Sequence, residues 1–200
     1  MKARYLIITL VTLICVYGQL LGQKVESLKP QSYDAIKYNL TDIFGGRYSL
    51  SYDKAIGEYL SFGSEVDILY KHVFLESEHP WYPSQNAIKT GVILEPYIRF
   101  YSSNHSGIYL SFNGFFGFAK YKLEQPENGL GEPGWSASGG SFQLGLQKII
   151  LAPMLVDCYI GLTYTNDDYP ELYIEDRALF PAPTGFRLSG GFRIGVRTKK

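Results

Sequence analysis

Charged side chains recur at every second residue along much of this chain, with acids and bases mixed among them. Lys37, Arg47, Asp53, Glu65, Asp67, Lys71, Lys89, Glu95, Arg99, Asp157, Arg187 and Arg193 share a face with Asn39, Ser49, Ser51, Ser111, Asn113, Gln143 and Gln147. Such residues can pair with one another, line an ion pathway or hold a polar ligand. An unpaired buried charge is very costly, so a face of this composition must be satisfied internally or meet water. A second acidic set stands apart: Asp167, Asp168, Glu171, Glu175 and Asp176, with Tyr169 and Tyr173 among them. Their oxygens suit Ca²⁺, a lipopolysaccharide-bridging cation or another loop ligand, although the regular spacing of an EF-hand is missing.

Material for catalysis is thinner. The chain has His72, His79 and His105 as its only histidines. A Ser–His–acid hydrolase would have to draw on His72 or His79 with Ser77 or Ser84 and a loop carboxylate. No motif or spacing singles out such a set, and no Cys/His cluster resembles a zinc site. No metal centre and no cofactor are expected.

The elements that carry the charged face read as β-strands. On the stretch from Ile88 to Tyr101, Ile88, Thr90, Val92, Leu94, Pro96, Ile98 and Phe100 form one side. Lys89, Gly91, Glu95, Tyr97, Arg99 and Tyr101 form most of the other, with Ile93 the exception. A period of two over that length is a strand with chemically opposed faces, longer than most strands of soluble proteins. Eight strands are expected, at about 35–44, 47–56, 58–72, 87–101, 107–122, 138–150, 155–165 and 184–197. Connections after the second, fourth and sixth are tight, around Gly57, Asn104 and Pro153. Those at 73–86, 123–137 and 166–183 are long, and only Gly45-Gly46 is short where a long one would fit. An outer-membrane barrel has this asymmetry, with short periplasmic turns and long external loops.

The ends agree. Residues 1–22 read as a signal peptide, with Lys2 and Arg4 ahead of an apolar core from Tyr5 to Tyr17 that is too short for a stable transmembrane helix. Cleavage after Gly22 or Gly18 would leave 23–34 as a periplasmic lead-in and 35–200 as the barrel. Cys15 follows Ile14 rather than a small residue, which argues against a lipid-attachment site. Cys158 is then the sole cysteine of the mature chain, so no internal disulfide can form. Nineteen acidic and nineteen basic residues balance, which argues against nucleic acid as a partner.

The apolar face holds Tyr48, Leu50, Tyr52, Phe62, Val66, Ile68, Tyr70, Leu110, Phe112, Phe116, Phe118, Phe142, Leu144, Ile160, Leu162, Phe186 and Ile194, among others. An eight-stranded barrel is just wide enough to be filled by side chains, so this many large residues would overfill it. They belong outside, against lipid, and the charges inside. Phe44, Tyr48, Tyr70, Phe118, Phe142, Tyr164 and Phe186 are expected to form an aromatic girdle at the outer interface.

The segments Lys37-Tyr38-Asn39-Leu40, Gly46-Arg47-Tyr48-Ser49-Leu50-Ser51-Tyr52-Asp53-Lys54 and Leu60-Ser61-Phe62-Gly63 resemble the opening hairpins of small outer-membrane barrels of Bacteroidota. Their general shape is OmpA- or OmpX-like. Glu95-Pro96-Tyr97-Ile98-Arg99-Phe100-Tyr101 looks like a segment of the same family. Ser189 to Val196 resembles the C-terminal signal read by the barrel-insertion machinery, but the chain ends Arg197-Thr198-Lys199-Lys200 rather than on an aromatic residue. The resemblance implies an all-β protein: an eight-stranded antiparallel up-and-down transmembrane barrel. A structural or surface-interaction role with a salt-bridged lumen is the leading expectation. The alternatives are a membrane-embedded hydrolase or acyltransferase acting on lipid A or phospholipid, and a soluble periplasmic lipocalin-like barrel. Expected partners are outer-membrane lipid, lipopolysaccharide and the insertion machinery, with the chain a monomer.

Overall fold

Alternation of side chains across a strand forces each strand here to expose one face and bury the other, and eight such strands close on themselves. The computed structural model describes residues 33–77, 84–103, 106–124, 133–168, 173–175 and 185–198. The strands are β1 (Asp34–Asn39), β2 (Arg47–Ala55), β3 (Leu60–Ser77), β4 (Gln85–Ser103), β5 (Ser106–Leu123), β6 (Gly134–Leu151), β7 (Met154–Asp168), β8 (Tyr173–Glu175) and β9 (Gly185–Thr198). Each pairs antiparallel with its neighbour in sequence from β1 to β7, and β7 pairs with β9. The seam closes where β9 pairs with β1, from Asp34 opposite Thr198 to Asn39 opposite Arg193. The chain is thus an all-β, closed antiparallel barrel of eight strands. The three-residue β8 lies outside that count and adds to the edge of β3 from Leu75 to Ser77.

Several strands run further than the sequence pattern suggests. β3 continues to Ser77 and β4 starts at Gln85, because Val73 pairs with Ala87 and Leu75 with Gln85. β6 starts at Gly134 and β7 continues to Asp168, with Ser136 opposite Asp168. Hydrogen bonding to a neighbour holds these ends in the ladder where glycine, serine and acidic residues blur the apolar alternation. β1 goes the other way and stops at Asn39 rather than at residue 44. A 3-10 turn, Asp42–Gly45, follows and ends at Gly46, whose φ of 69° lies in the left-handed region. A side chain there would collide with Lys71 Cβ and the Tyr70 carbonyl.

The tight connections and both strand termini, Asp34 and Thr198, lie at one end, here called the near end. The opposite, far end carries the connections that follow β1, β3, β5 and β7. The expected signal peptide and nearly all of the lead-in fall outside the described residues, as do most of the expected long loops.

Faces separate cleanly. Leu50, Phe62, Ile68, Phe112, Phe116, Phe118, Leu144, Ile160, Leu162 and Phe186 all point outward and are exposed. Along β5 the outward row runs Ile108, Leu110, Phe112, Phe116 and Phe118, then changes to Lys120 and Lys122. Phe44, Tyr48, Tyr70, Phe118, Tyr164 and Phe186 are exposed as a girdle would require, but Phe142 lies in mid-strand. It packs edge-on against Phe112, which meets Phe100 in the same way, so Phe142 extends an aromatic ladder toward the near end.

Candidate functional site

Inside the barrel, parity alone aims Lys37, Asp53, Glu65, Asp67, Glu95, Arg99, Asp157 and Arg193 at the axis from six strands, and all are buried. Alternation places them, and ladder register decides which of them meet. Lys37 Nζ bonds the Asp53 carboxylate and Gln147 Oε1, and stands 3.1 Å from Asp157 Oδ2. Arg99 Nη1 bridges Asp53 Oδ2 and Asp157 Oδ2, each at 3.1 Å. Arg193 Nε donates to Glu65 Oε2 at 2.9 Å, and its Nη1 lies 3.8 Å from Asp157 Oδ2. Side chains from β1, β4 and β9 therefore converge on Asp157 of β7, which is fully enclosed.

Tyrosines complete this layer. Tyr97 donates to Asp53, and the Tyr109 hydroxyl donates to Asp157 Oδ1 at 2.6 Å. The Arg99 guanidinium lies 4.3 Å from the Tyr97 ring centre and 4.8 Å from that of Tyr109, and Arg193 lies 4.0 Å from that of Tyr159. Such stacking offsets part of the desolvation of a buried guanidinium. Room for the rings comes from inward glycines on adjacent strands: Gly63 beneath Tyr97, Gly145 beneath Tyr109 and Gly191 beneath Tyr159. A Cβ at any of these positions would enter the ring.

Toward the far end, Arg47 is about a third exposed and bridges Asp42 Oδ2 at 3.0 Å and Asp67 Oδ2 at 3.2 Å. Asn39 Nδ2 donates to Asp42 Oδ2 at 2.9 Å and to the Tyr159 hydroxyl at 3.2 Å. Glu95 accepts from Asn113 Nδ2 and stands directly opposite Glu65 in the ladder. Beyond these groups the interior of β3–β6 is mostly apolar: Leu69, Leu75, Ala87, Ile93, Phe115, Ala119, Tyr121, Trp135 and Ala137 form one cluster, with Gln85 and Lys89 buried beside it. Ile93, the exception in the alternation of β4, belongs to it.

The remaining expected charges lie apart from the central layer. Lys71 is opposite Lys89 across β3 and β4, and Lys89 Nζ sits 3.7 Å above the Trp135 ring. Arg187 pairs with Asp167. Asp167, expected in a loop, is therefore an inward residue of β7, because that strand extends to Asp168. Asp168 is exposed on the outer side, and Glu175 lies on β8. Glu171 and Asp176 fall outside the described residues, so the expected loop cation site is not assembled by the described part of the chain.

Asp42, Tyr109 and Tyr159 are parts of the interior that the sequence reading missed. Tyr109 was accessible, since it is in phase with Ser111 and Asn113. Asp42 was not, because strand parity would send it outward and only the 3-10 turn redirects it.

No Ser–His–acid arrangement forms among the described residues. His72 is exposed on the outer side, edge-on to Tyr70, and Ser84 is exposed. His79, His105 and the Ser77 side chain lie outside what is described. The described interior thus offers buried, ion-paired charges and tyrosines. Comparison with known proteins found no family model, no curated protein and no solved structure that matches this chain.

Proposed function

We propose that this chain is an outer-membrane β-barrel of structural or surface-interaction role, its near end in the periplasm and its lumen closed by the charged layer. The observation that carries the reading is the inversion of its faces: enclosed charges around Asp157 and an exposed belt of Leu, Ile and Phe. Such a belt needs an apolar solvent, whereas an exposed apolar surface of this extent on a soluble barrel would drive aggregation. The change along β5 from Phe118 to Lys120 and Lys122 marks where lipid gives way to headgroups.

β3–β6 run for 18 or 19 residues, well beyond the roughly 9–11 that a tilted membrane strand needs. β1 and β2, at 6 and 9 residues, are much shorter. On this reading β3–β6 form a wall that projects past the outer interface and presents its loops to a surface partner. Lipid and lipopolysaccharide surround the band, and the insertion machinery is the partner during biogenesis. The resemblance of residues 37–63 to small outer-membrane barrels points the same way.

Arginine scanning in lipid vesicles tests the placement. Leu144→Arg in mid-band should cost about 2–4 kcal/mol of folding stability, and Phe118→Arg at its edge roughly 0–1 kcal/mol. Equal costs at both positions, or recovery of the native protein from the soluble periplasm without detergent, would overturn the proposal. Planar-bilayer recording should show no large stable conductance, because the charged layer occupies the lumen.

A further inference from the structure

The interior charges do not balance in space. Lys37 and Arg99 match Asp53 and Asp157 within the near half. Farther along the axis, Asp42, Glu65, Asp67 and Glu95 face Arg47 and Arg193, and Arg193 is shared with Asp157. Four carboxylates against two guanidiniums leave two negative charges without a counterion in this group. Lys71 and Lys89 lie outside this group, Lys71 one inward position beyond Leu69 and Lys89 two beyond Ile93, with Lys89 on the Trp135 ring. Glu65 and Glu95 are moreover cross-strand neighbours of like sign, an unfavourable pairing when both are charged.

The oxygens concerned converge. Ligand atoms from Asp42, Glu65 and Asp67 all lie within 4.8 Å of one another. Glu65 and Asp67 are almost completely enclosed, yet Glu65 Oε1 and Asp67 Oδ1 accept no hydrogen bond. A buried carboxylate oxygen with no donor loses most of what water would have given it. Strands, parity and a 3-10 turn have thus brought three acids to one point and left two of their oxygens unsatisfied.

We propose that Asp42, Glu65 and Asp67 form a binding site for one hard divalent cation, Ca²⁺ or Mg²⁺, inside the barrel at the edge of the charged layer away from Asp157. Oxygen-only ligands of high negative charge select such ions over zinc or copper. A charge of +2 cancels the deficit of two, and the ion would also screen Glu65 from Glu95. Arg47 is the group that must yield. Its side chain reaches solvent and now spans Asp42 and Asp67, so it can swing outward as the ion enters. It acts as a tethered surrogate cation that competes for the site. The competing explanation is that protons, rather than a metal, neutralise the surplus acids.

The experiment is calorimetric titration of the full chain, refolded in detergent and stripped with a chelator, with CaCl₂ and then MgCl₂ at neutral pH. One saturable site per chain is expected. Glu65→Gln and Asp67→Asn should abolish it, Asp168→Asn on the outer side should leave it intact, and Arg47→Gln should tighten it. Folding is followed in parallel by the melting midpoint. In chelator, Asp67→Asn should melt above the wild type, because it removes an uncompensated charge. Added Ca²⁺ should raise the wild-type midpoint and leave that of Asp67→Asn unchanged. No saturable binding to the wild type would overturn the site in favour of protonated acids. Binding that survives both Glu65→Gln and Asp67→Asn, or that Arg47→Gln weakens, would overturn it equally.

Discussion

Two halves of the same interior solve the filling problem in opposite ways. The near half is a layer of ions and tyrosines on seven strands, with Asp157 at its centre. The far half, along β3–β6, is a cluster of Leu, Ile, Phe and Trp. Both exclude water from a barrel of the same width. They differ in what they demand of geometry. Apolar contacts are non-directional and tolerate exchange as long as volume is kept. A buried ion pair needs its partner within hydrogen-bonding reach, and a one-residue slip of any strand would turn its charges toward the outside. The charged layer therefore specifies which register the strands adopt, and the apolar cluster stabilises whatever register has been set.

The sharpest break in that comparison comes from Asp157. Asp157→Ala removes the shared partner of Lys37, Arg99 and Arg193 and the acceptor of Tyr109. Denaturant unfolding in lipid vesicles should show a loss of about 3–5 kcal/mol, the usual result of stranding buried charge. Added salt should not restore it, because the layer is enclosed. A loss below that range would mean that water reaches the layer, and the contrast with the apolar half would weaken. Gly145→Val comes next. Its side chain would enter the Tyr109 ring, so overpacking should cost roughly 1–3 kcal/mol in the same assay.

How much of this was legible in the sequence follows from the same contrast. Alternation exposes which face of a strand carries charge, so Lys37, Asp53, Arg99, Asp157 and Arg193 could be assigned to one interior before any contact was known. It says nothing about who meets whom. Lys37 and Asp157 stand 120 residues apart, and only closure of β9 onto β1 and register along β7 bring them together. Alternation also fails at chain reversals. The 3-10 turn re-aims Asp42 inward, and the ladder carries Asp167 inward beyond the point where the pattern fades. Ile93 shows the reverse failure: an apolar residue on a charged face looks like an irregularity until Leu69, Phe115 and Trp135 appear around it. Strand parity is local, whereas pairing, closure and clustering are not.

The apolar half should yield the smaller effects. Ile93→Val deletes one methylene from the cluster and should cost about 0.5–1.5 kcal/mol with no change in strand register.

Lys89→Met is the smallest and the most discriminating, because Lys89 places a charge inside the apolar half. Its stem crosses the apolar cluster while its ammonium lies over Trp135, 5.2 Å from the Tyr121 ring centre. Methionine keeps the length and apolar character of the stem and loses the charge. If the far half is governed by volume, the loss of cation–π attraction, about 0.5–2 kcal/mol, is largely offset by removing a buried charge opposite Lys71. The net change in unfolding free energy should then fall within about 1 kcal/mol of zero. A cost as large as that of Asp157→Ala would mean that Lys89 anchors register as the central ions do, and that the charged layer extends through the full height of the barrel.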